Sequence, residues 1–295
     1  LKLHILTYLT LLAAASLKAC PCGCTQCPVD TSQLHFNPTQ RISFEVREDL
    51  IKQDERTHNA GVDFTVDHRI TTLITEMRVG ELRWSLSLPR VERITREATS
   101  AKVAGLGDAL VRVRIPTKHF DVIAGIKLPT GASDKALSAP RRYLQLGTGS
   151  TDVLLSIRSE HTWSEQTNSY VQLNAQSAVL SDQHFRPGRS IGLSLGFQQK
   201  ITDAFALAIQ GDVIRQFRDM NTMHVIDNSY AEDAESSMLS TSISPGFIWS
   251  PQPTIRAFIY LTEPLKTRNY AQTAGETVNP MHASRIVSFG LIVQF

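Results

Sequence analysis

The chain is predicted to be all-β, an antiparallel transmembrane β-barrel of about twelve strands, and three observations predict it. Short segments along most of the sequence alternate apolar and polar side chains, the period of a strand with two unlike faces. The polar stretches between these segments alternate short with long, as short periplasmic turns and long extracellular loops do in such barrels. Beyond residues 1–19 no apolar run approaches the roughly 18 residues that a spanning helix needs. A composition 42% hydrophobic with mean hydropathy −0.12 excludes a helical membrane protein but suits alternating strands.

Residues 1–19, LKLHILTYLTLLAAASLKA, place Lys2 before an apolar core from about Ile5 to Leu12 and then small residues, the order of a secretory signal peptide. Ala13 and Ala15 suit cleavage after Ala15, whereas cleavage after Ala19 would need Leu17 at the minus-three position. Leu1 stands where methionine is expected, which points to an alternative start codon or a shortened chain. If Lys2 and Lys18 both leave, the 30 basic residues fall to 28 against 28 acidic, so the mature chain is formally neutral. No basic patch for nucleic acid is then left to explain.

Cys20, Cys22, Cys24 and Cys27 follow in the run CPCGCTQCP and are all the cysteines of the chain. Four thiols at this spacing can converge on one soft ion such as copper or zinc, although no histidine lies nearby and no haem signature exists. Disulfide formation in an oxidising periplasm needs only proximity. Leu17-Lys18-Ala19-Cys20 also has a lipobox shape, into which the lysine fits poorly. Apart from such a metal, no cofactor is expected. Residues 20–40 read as a cysteine-bearing periplasmic segment, and residues 41–295 as the barrel.

The first strand spans Arg41 to Leu50, where Ile42, Phe44 and Val46 alternate with Ser43 and Glu45. The second, Arg69 to Met77, is blurred by the adjacent Leu73 and Ile74. Glu81 to Pro89 sets Leu82, Trp84, Leu86 and Leu88 against Arg83, Ser85 and Ser87. Asp108 to Ile115 sets Ala109, Val111, Val113 and Ile115 against Asp108, Arg112 and Arg114, and Pro116-Thr117-Lys118 turns into a strand that runs to Leu128. Val153–Ser159, Tyr170–Val179, Ser190–Gln199, Ala204–Ile214, Leu239–Trp249 and Thr254–Thr262 continue the series. Pro245 within its strand predicts a local bulge.

Long polar segments are read near 50–68, 91–106, 129–151, 180–189, 215–238 and 263–283, with short joints near 78–80, 116–118, 162–168, 200–203 and 250–253. This alternation places both chain ends on the periplasmic side. Trp84, Phe120, Phe205, Phe247 and Trp249 fall near strand ends on the outer face, as an aromatic girdle requires.

The last strand, Ser284 to Phe295, carries Val287, Phe289, Leu291, Val293 and Phe295 on one face and Ser288, Gly290 and Gln294 on the other, with Ile286 and Ile292 blurring the wet side. A chain that stops on an outward aromatic resembles the terminal strand of bacterial outer-membrane barrels, which in those proteins is read by the barrel-assembly machinery. A second resemblance rests on three short stretches in order: Gly105-Leu106-Gly107-Asp108, Lys127-Leu128-Pro129-Thr130-Gly131, and Leu146-Gly147-Thr148-Gly149-Ser150-Thr151-Asp152. The triplet resembles outer-membrane barrels grouped as phenol meta-pathway degradation proteins, which implies a transporter in the outer membrane. Physically, the glycines are expected to permit positive φ at strand ends. The GTGS run lacks the lysine and following helix of a phosphate loop.

Catalysis is not expected, because His68, His119, His161 and His184 fall in separate elements without a diagnostic serine motif. The expected function is passage of a small solute, anionic or aromatic, with outer-membrane lipid around the barrel. The alternatives are an accessory barrel with a metal- or redox-active cysteine cluster, or a structural or adhesive surface barrel. Strand phases put Arg83, Arg112, Arg114, Asp121, Lys127, Arg158 and Glu160 on the wet face, beside a neutral wall of Gln172, Asn174 and Gln176. Five basic against two acidic groups predicts a modest anion preference, unless the charges simply pair across strands and fill a narrow lumen.

Overall fold

The computed structural model describes residues 29, 31, 40–56, 63–96, 101–133, 145–181, 185–217, 220–221, 231–232, 237–269 and 282–295. Its strands are β1 (Ile42–Arg56), β2 (Asp63–Val79), β3 (Leu82–Arg96), β4 in two segments (Ala101–Leu106 and Ala109–Pro116), β5 (Asp121–Leu128) and β6 (Ser150–Ser164). They continue as β7 (Thr167–Ser181), β8 (Ser190–Lys200), β9 (Phe205–Gln216), β10 (Met238–Gln252), β11 (Ile255–Asn269) and β12 (His282–Gln294). Each pairs antiparallel with its sequence neighbour, and β1 also pairs with β12, so twelve strands close a barrel. Three two-residue strands, Phe185–Arg186, Met220–Asn221 and Ala231–Glu232, form a small separate sheet.

All twelve expected strands are present, and several are longer than the alternation foretold. β1 and β2 extend to leave only residues 57–62 between them, and β3 and β4 leave only 97–100, so most of 50–68 and 91–106 is strand rather than loop. The extensions carry charge on the outer face, Lys102 bonded to Glu92, and Arg69 bonds Glu48 where the β1 and β2 extensions begin. About 9–11 residues suffice to cross the bilayer, so the 17-residue β2 rises above it, where an outward face need not be apolar.

Outward apolar side chains such as Phe44, Leu86, Leu155, Leu173, Leu207 and Phe289 are exposed on the barrel wall, the surface that lipid covers. The expected girdle residues Trp84, Phe120, Phe205, Phe247 and Trp249 are all exposed near the periplasmic turns, with Phe205 and Phe247 5.4 Å apart. Phe44 and Phe295 meet edge to face at 6.1 Å beside the closing seam. Pro245 does not shift the register of its strand. Pairing of β10 with β11 lapses around it, and the register shifts lie between Thr241 and Ser242 and between Trp249 and Gln252.

Three inward aromatics lie across glycines on the strand alongside. Tyr170 is the register partner of Gly196, Tyr260 of Gly246, and Phe258 of Gly290, and in each case a Cβ on the glycine would collide with the ring. The aromatic ring fills the slot of a missing side chain, which pins register. Gly246→Val is therefore expected to displace Tyr260 and cost about 1–3 kcal/mol by overpacking. A lowered midpoint for the heat-induced mobility shift in detergent checks it, with outward Ile259→Val as the mild control.

Candidate functional site

Period two places every second residue of each strand on the inner wall. The seven charged residues expected there do lie on it, on four consecutive strands β3 to β6: Arg83 on β3, Arg112 and Arg114 on β4, Asp121 and Lys127 on β5, Arg158 and Glu160 on β6. They do not form one ring. They divide into two networks at different heights, with Arg112 between them.

The network near the extracellular end is built by the glycine-rich triplet. β4 is broken at Gly107–Asp108, where it carries one residue more than β3 between the pairs Arg90↔Leu106 and Ser87↔Leu110. A bulge re-aims a side chain, and here it presents the buried Asp108 carboxylate to the connection between β5 and β6. That carboxylate accepts from the N–H of Gly131 at 3.1 Å, the N–H of Thr148 at 2.8 Å and the Thr148 hydroxyl at 2.8 Å. Thr130 donates to the carbonyl of Gly107 at 2.7 Å and accepts from the N–H of Ala109 at 2.8 Å. Gly131 and Gly147 touch backbone to backbone, so a Cβ on Gly131 would stand 2.8 Å from the Gly147 Cα.

The triplet thus works chiefly by close approach. Of its glycines only Gly149 has positive φ, +66°, and Gly105, Gly107, Gly131 and Gly147 instead leave room for neighbouring atoms. The clasp draws both ends of the connection inward, where Leu146 and Ala132 pack against Ile51, Ile70, Val91 and Val103 inside the barrel. Lys127 is completely buried beneath it, its ammonium 2.8 Å from Asp152 and 3.6 Å from Asp108, and it donates to Thr148 at 2.5 Å. Asp152 also accepts from Gln176 at 2.5 Å and Ser150 at 2.6 Å.

The second network lies nearer the periplasm. Arg114 bridges Asp121 and Glu160, the latter at 2.9 Å. Arg158 donates to Glu160 at 2.7 Å and to Gln172 at 3.1 Å, and its guanidinium lies 3.9 Å over the Tyr170 ring. Gln172 continues to Asn174 at 2.7 Å, and Tyr170 to Gln210 at 2.8 Å. Arg83 stands opposite Arg114 on the neighbouring strand. With Asp108, Asp152 and the buried Arg93 of β3 counted on the same wall, the balance is six basic against four acidic groups rather than five against two. Cross-strand pairing accounts for most of the charge.

Arg112 differs. It lies across Gly125, whose missing side chain gives it room, since a Cβ there would stand 2.9 Å from the Arg112 Cγ. Its guanidinium donates to Ser85 at 3.3 Å, and among the described residues no carboxylate lies within ion-pairing distance of it.

Sequence reasoning missed the occupant of the opposite wall. Val29 is buried against Ala206, Ala208, Ile248, Phe258, Tyr260 and Ile292, inner-face residues of β9 to β12. Arg47 on β1 donates to its carbonyl at 3.5 Å, and Thr31 donates to Glu45 at 2.9 Å. Ile292, which blurs the wet face of the last strand, is one side of this contact. Residues 1–19 and Cys20, Cys22, Cys24 and Cys27 lie outside the described residues. His68 and His161 sit on separate strands and His119 in the turn between β4 and β5, while His184 is outside the described residues.

The model of the family described as "Putative MetA-pathway of phenol degradation" matches residues 53–279. The chain belongs to that family. It is similar to the crystal structure of the COG4313 outer membrane channel from Pseudomonas putida F1, with TM-score 0.66 and 12% identity over 90% of this chain and 100% of that one. The NanC porin gives TM-score 0.48 and 11% identity over 85% and 100% of the two chains. No curated protein sequence matches significantly. The protein is an outer-membrane β-barrel.

Proposed function

We propose that the protein is a passive outer-membrane channel for small solutes, with a modest preference for anionic or polar aromatic ones. The observation that carries it is a closed barrel with a polar inner wall, on which Arg112, with no carboxylate partner among the described residues, stands between two networks of paired charges. Fixed charge on a lumen wall tunes selectivity, and a guanidinium that no carboxylate offsets attracts anions. Membership in a family described by phenol degradation supports an aromatic solute. Of the three arginines, Arg112 is expected to matter most, because Arg114 and Arg158 are held by Glu160.

Reversal potentials of the refolded protein in a planar bilayer under a salt gradient test this. The native channel is expected to favour anions, and Arg112→Gln to move the permeability ratio most of the way to unity. Adding Arg114→Gln and Arg158→Gln should carry it to a cation preference by leaving Glu160 and Asp121 uncompensated. A non-conducting or cation-preferring native protein, or a ratio unchanged in the triple variant, would overturn the reading.

A further inference from the structure

The wall is incomplete between β7 and β8 at the extracellular end. Their ladder stops at Gln176↔Ser190, whereas β7 runs on to Ser181, paired there, among the described residues, with β6 alone. The chain ahead of β8 turns away to the small sheet, where Phe185–Arg186 pairs with Met220–Asn221, and Arg189 accepts from the N–H of Phe217 at 2.8 Å. What reaches back to β7 is the Arg186 guanidinium, which donates to the carbonyl of Ala178 at 3.3 Å.

A cavity of about 910 Å³ occupies this notch. Its apolar side is formed by the outward side chains of Val153, Leu155, Val179 and Ile191, all well exposed or lining it directly. At its inner end are Gln176 and Ser190, the last cross-strand pair, whose side chains belong to the lumen face. Arg186, Arg189 and Arg215 also line it, and among the described residues the lining holds no aspartate or glutamate. Arg215 is oriented by Ser237 at 3.2 Å and by the Phe217 ring at 5.4 Å.

We infer that this notch is a binding site for a small amphipathic organic anion. Its apolar body lies against Val153, Leu155, Val179 and Ile191, and its anionic group is held by Arg186 and Arg189. The volume falls within the usual range of small-molecule sites, roughly 300–1,000 Å³, and is too small to enclose a lipid with several acyl chains. Apolar walls with convergent cations select for both properties at once, since neither a bare anion nor an uncharged chain satisfies the whole site. The site goes beyond the channel reading and stands on the wall rather than on conduction through the lumen.

The test is an NMR titration of the full chain, in phosphatidylcholine nanodiscs, with decanoate labelled at the carboxyl carbon. Saturable binding of one decanoate is expected. Arg186→Gln with Arg189→Gln should weaken it about tenfold or more, through loss of two charge-assisted contacts. Val179→Asn with Ile191→Asn should weaken it comparably, and decanol and inorganic phosphate should each bind more poorly than decanoate. Arg189→Gln alone, in chain outside the ladder, gives a readout with no demand on barrel closure. Decanoate binding unaffected by both pairs of substitutions, or decanol binding as tightly as decanoate, would overturn the proposal. So would phosphatidylglycerol in the discs excluding decanoate, which would make the notch a lipid site. Conductance measured on the same preparation separates the two readings: decanoate bound by a non-conducting barrel keeps the notch and removes the channel.

Discussion

Planar-bilayer recordings of Gly147→Val are expected to show unit conductance severalfold above that of the native protein. A side chain at 147 would place its Cβ 2.6 Å from the carbonyl oxygen of Gly131 and 2.9 Å from its carbon, which are backbone atoms that cannot rotate aside. Gly131 cannot retreat cheaply either, since its N–H is bonded to Asp108. The clasp must therefore open, and with it the inward packing of Leu146 and Ala132. Asp108→Ala reaches the same end by another route. It removes the acceptor of three hydrogen bonds and one of the two carboxylates beside the buried Lys127, a loss of the kind that costs about 3–5 kcal/mol. Both variants should retain the heat-induced mobility shift of a closed barrel. Native conductance in two folded variants would show that the inward connection does not limit the passage.

Val29→Asp is expected to widen the lumen from the opposite wall. Burying the valine side chain is worth about 1.5–3 kcal/mol, and an unpaired carboxylate among Ala206, Ile248, Phe258 and Ile292 would cost several kcal/mol instead. Conductance should rise at least as much as for the clasp variants, while Thr31→Ala, which removes a single side-chain bond, should change it little. Equal conductance in Val29→Asp and the native protein would take Val29 out of the ion path.

The strands were legible because lipid imposes a period of two on them, and legibility ended where the lipid ends. Lys52, Asp67, Arg90, Glu92 and Lys102 lie on strand extensions above the bilayer, and with no apolar face to alternate they read as loop. The inward phase of Arg112, Arg114 and Arg158 was equally plain, as was that of Asp121 and Glu160, but the partners of Lys127 were less so. Asp108 lies in the break of β4 and Asp152 near the start of β6, and only the fold brings both against Lys127. The clasp was visible as a cluster of glycines, with its purpose hidden, since sequence cannot distinguish a glycine needed for positive φ from one needed for contact. Gly149 is of the first kind and Gly131 and Gly147 of the second. Ile292 alone hinted at the Val29 contact, as an apolar residue on a face otherwise wet.

The seam between β1 and β12 has a consequence for assembly. Eleven of the twelve ladders join strands adjacent in sequence, but Ser43 meets Gln294, 251 positions further along, and twelve residue pairs hold that junction. Bringing such distant ends together costs about 3 kcal/mol more chain entropy than closing a ten-residue hairpin. Until it closes, the chain is a curved sheet with two bare edges, and hydrocarbon offers no hydrogen-bonding partner to either. The aromatic pair of Phe44 and Phe295, with Arg41 and Ile42 donating to the terminal carbonyl, fastens the periplasmic end of that last junction. Removing Phe295 would keep every hairpin and lose the latch.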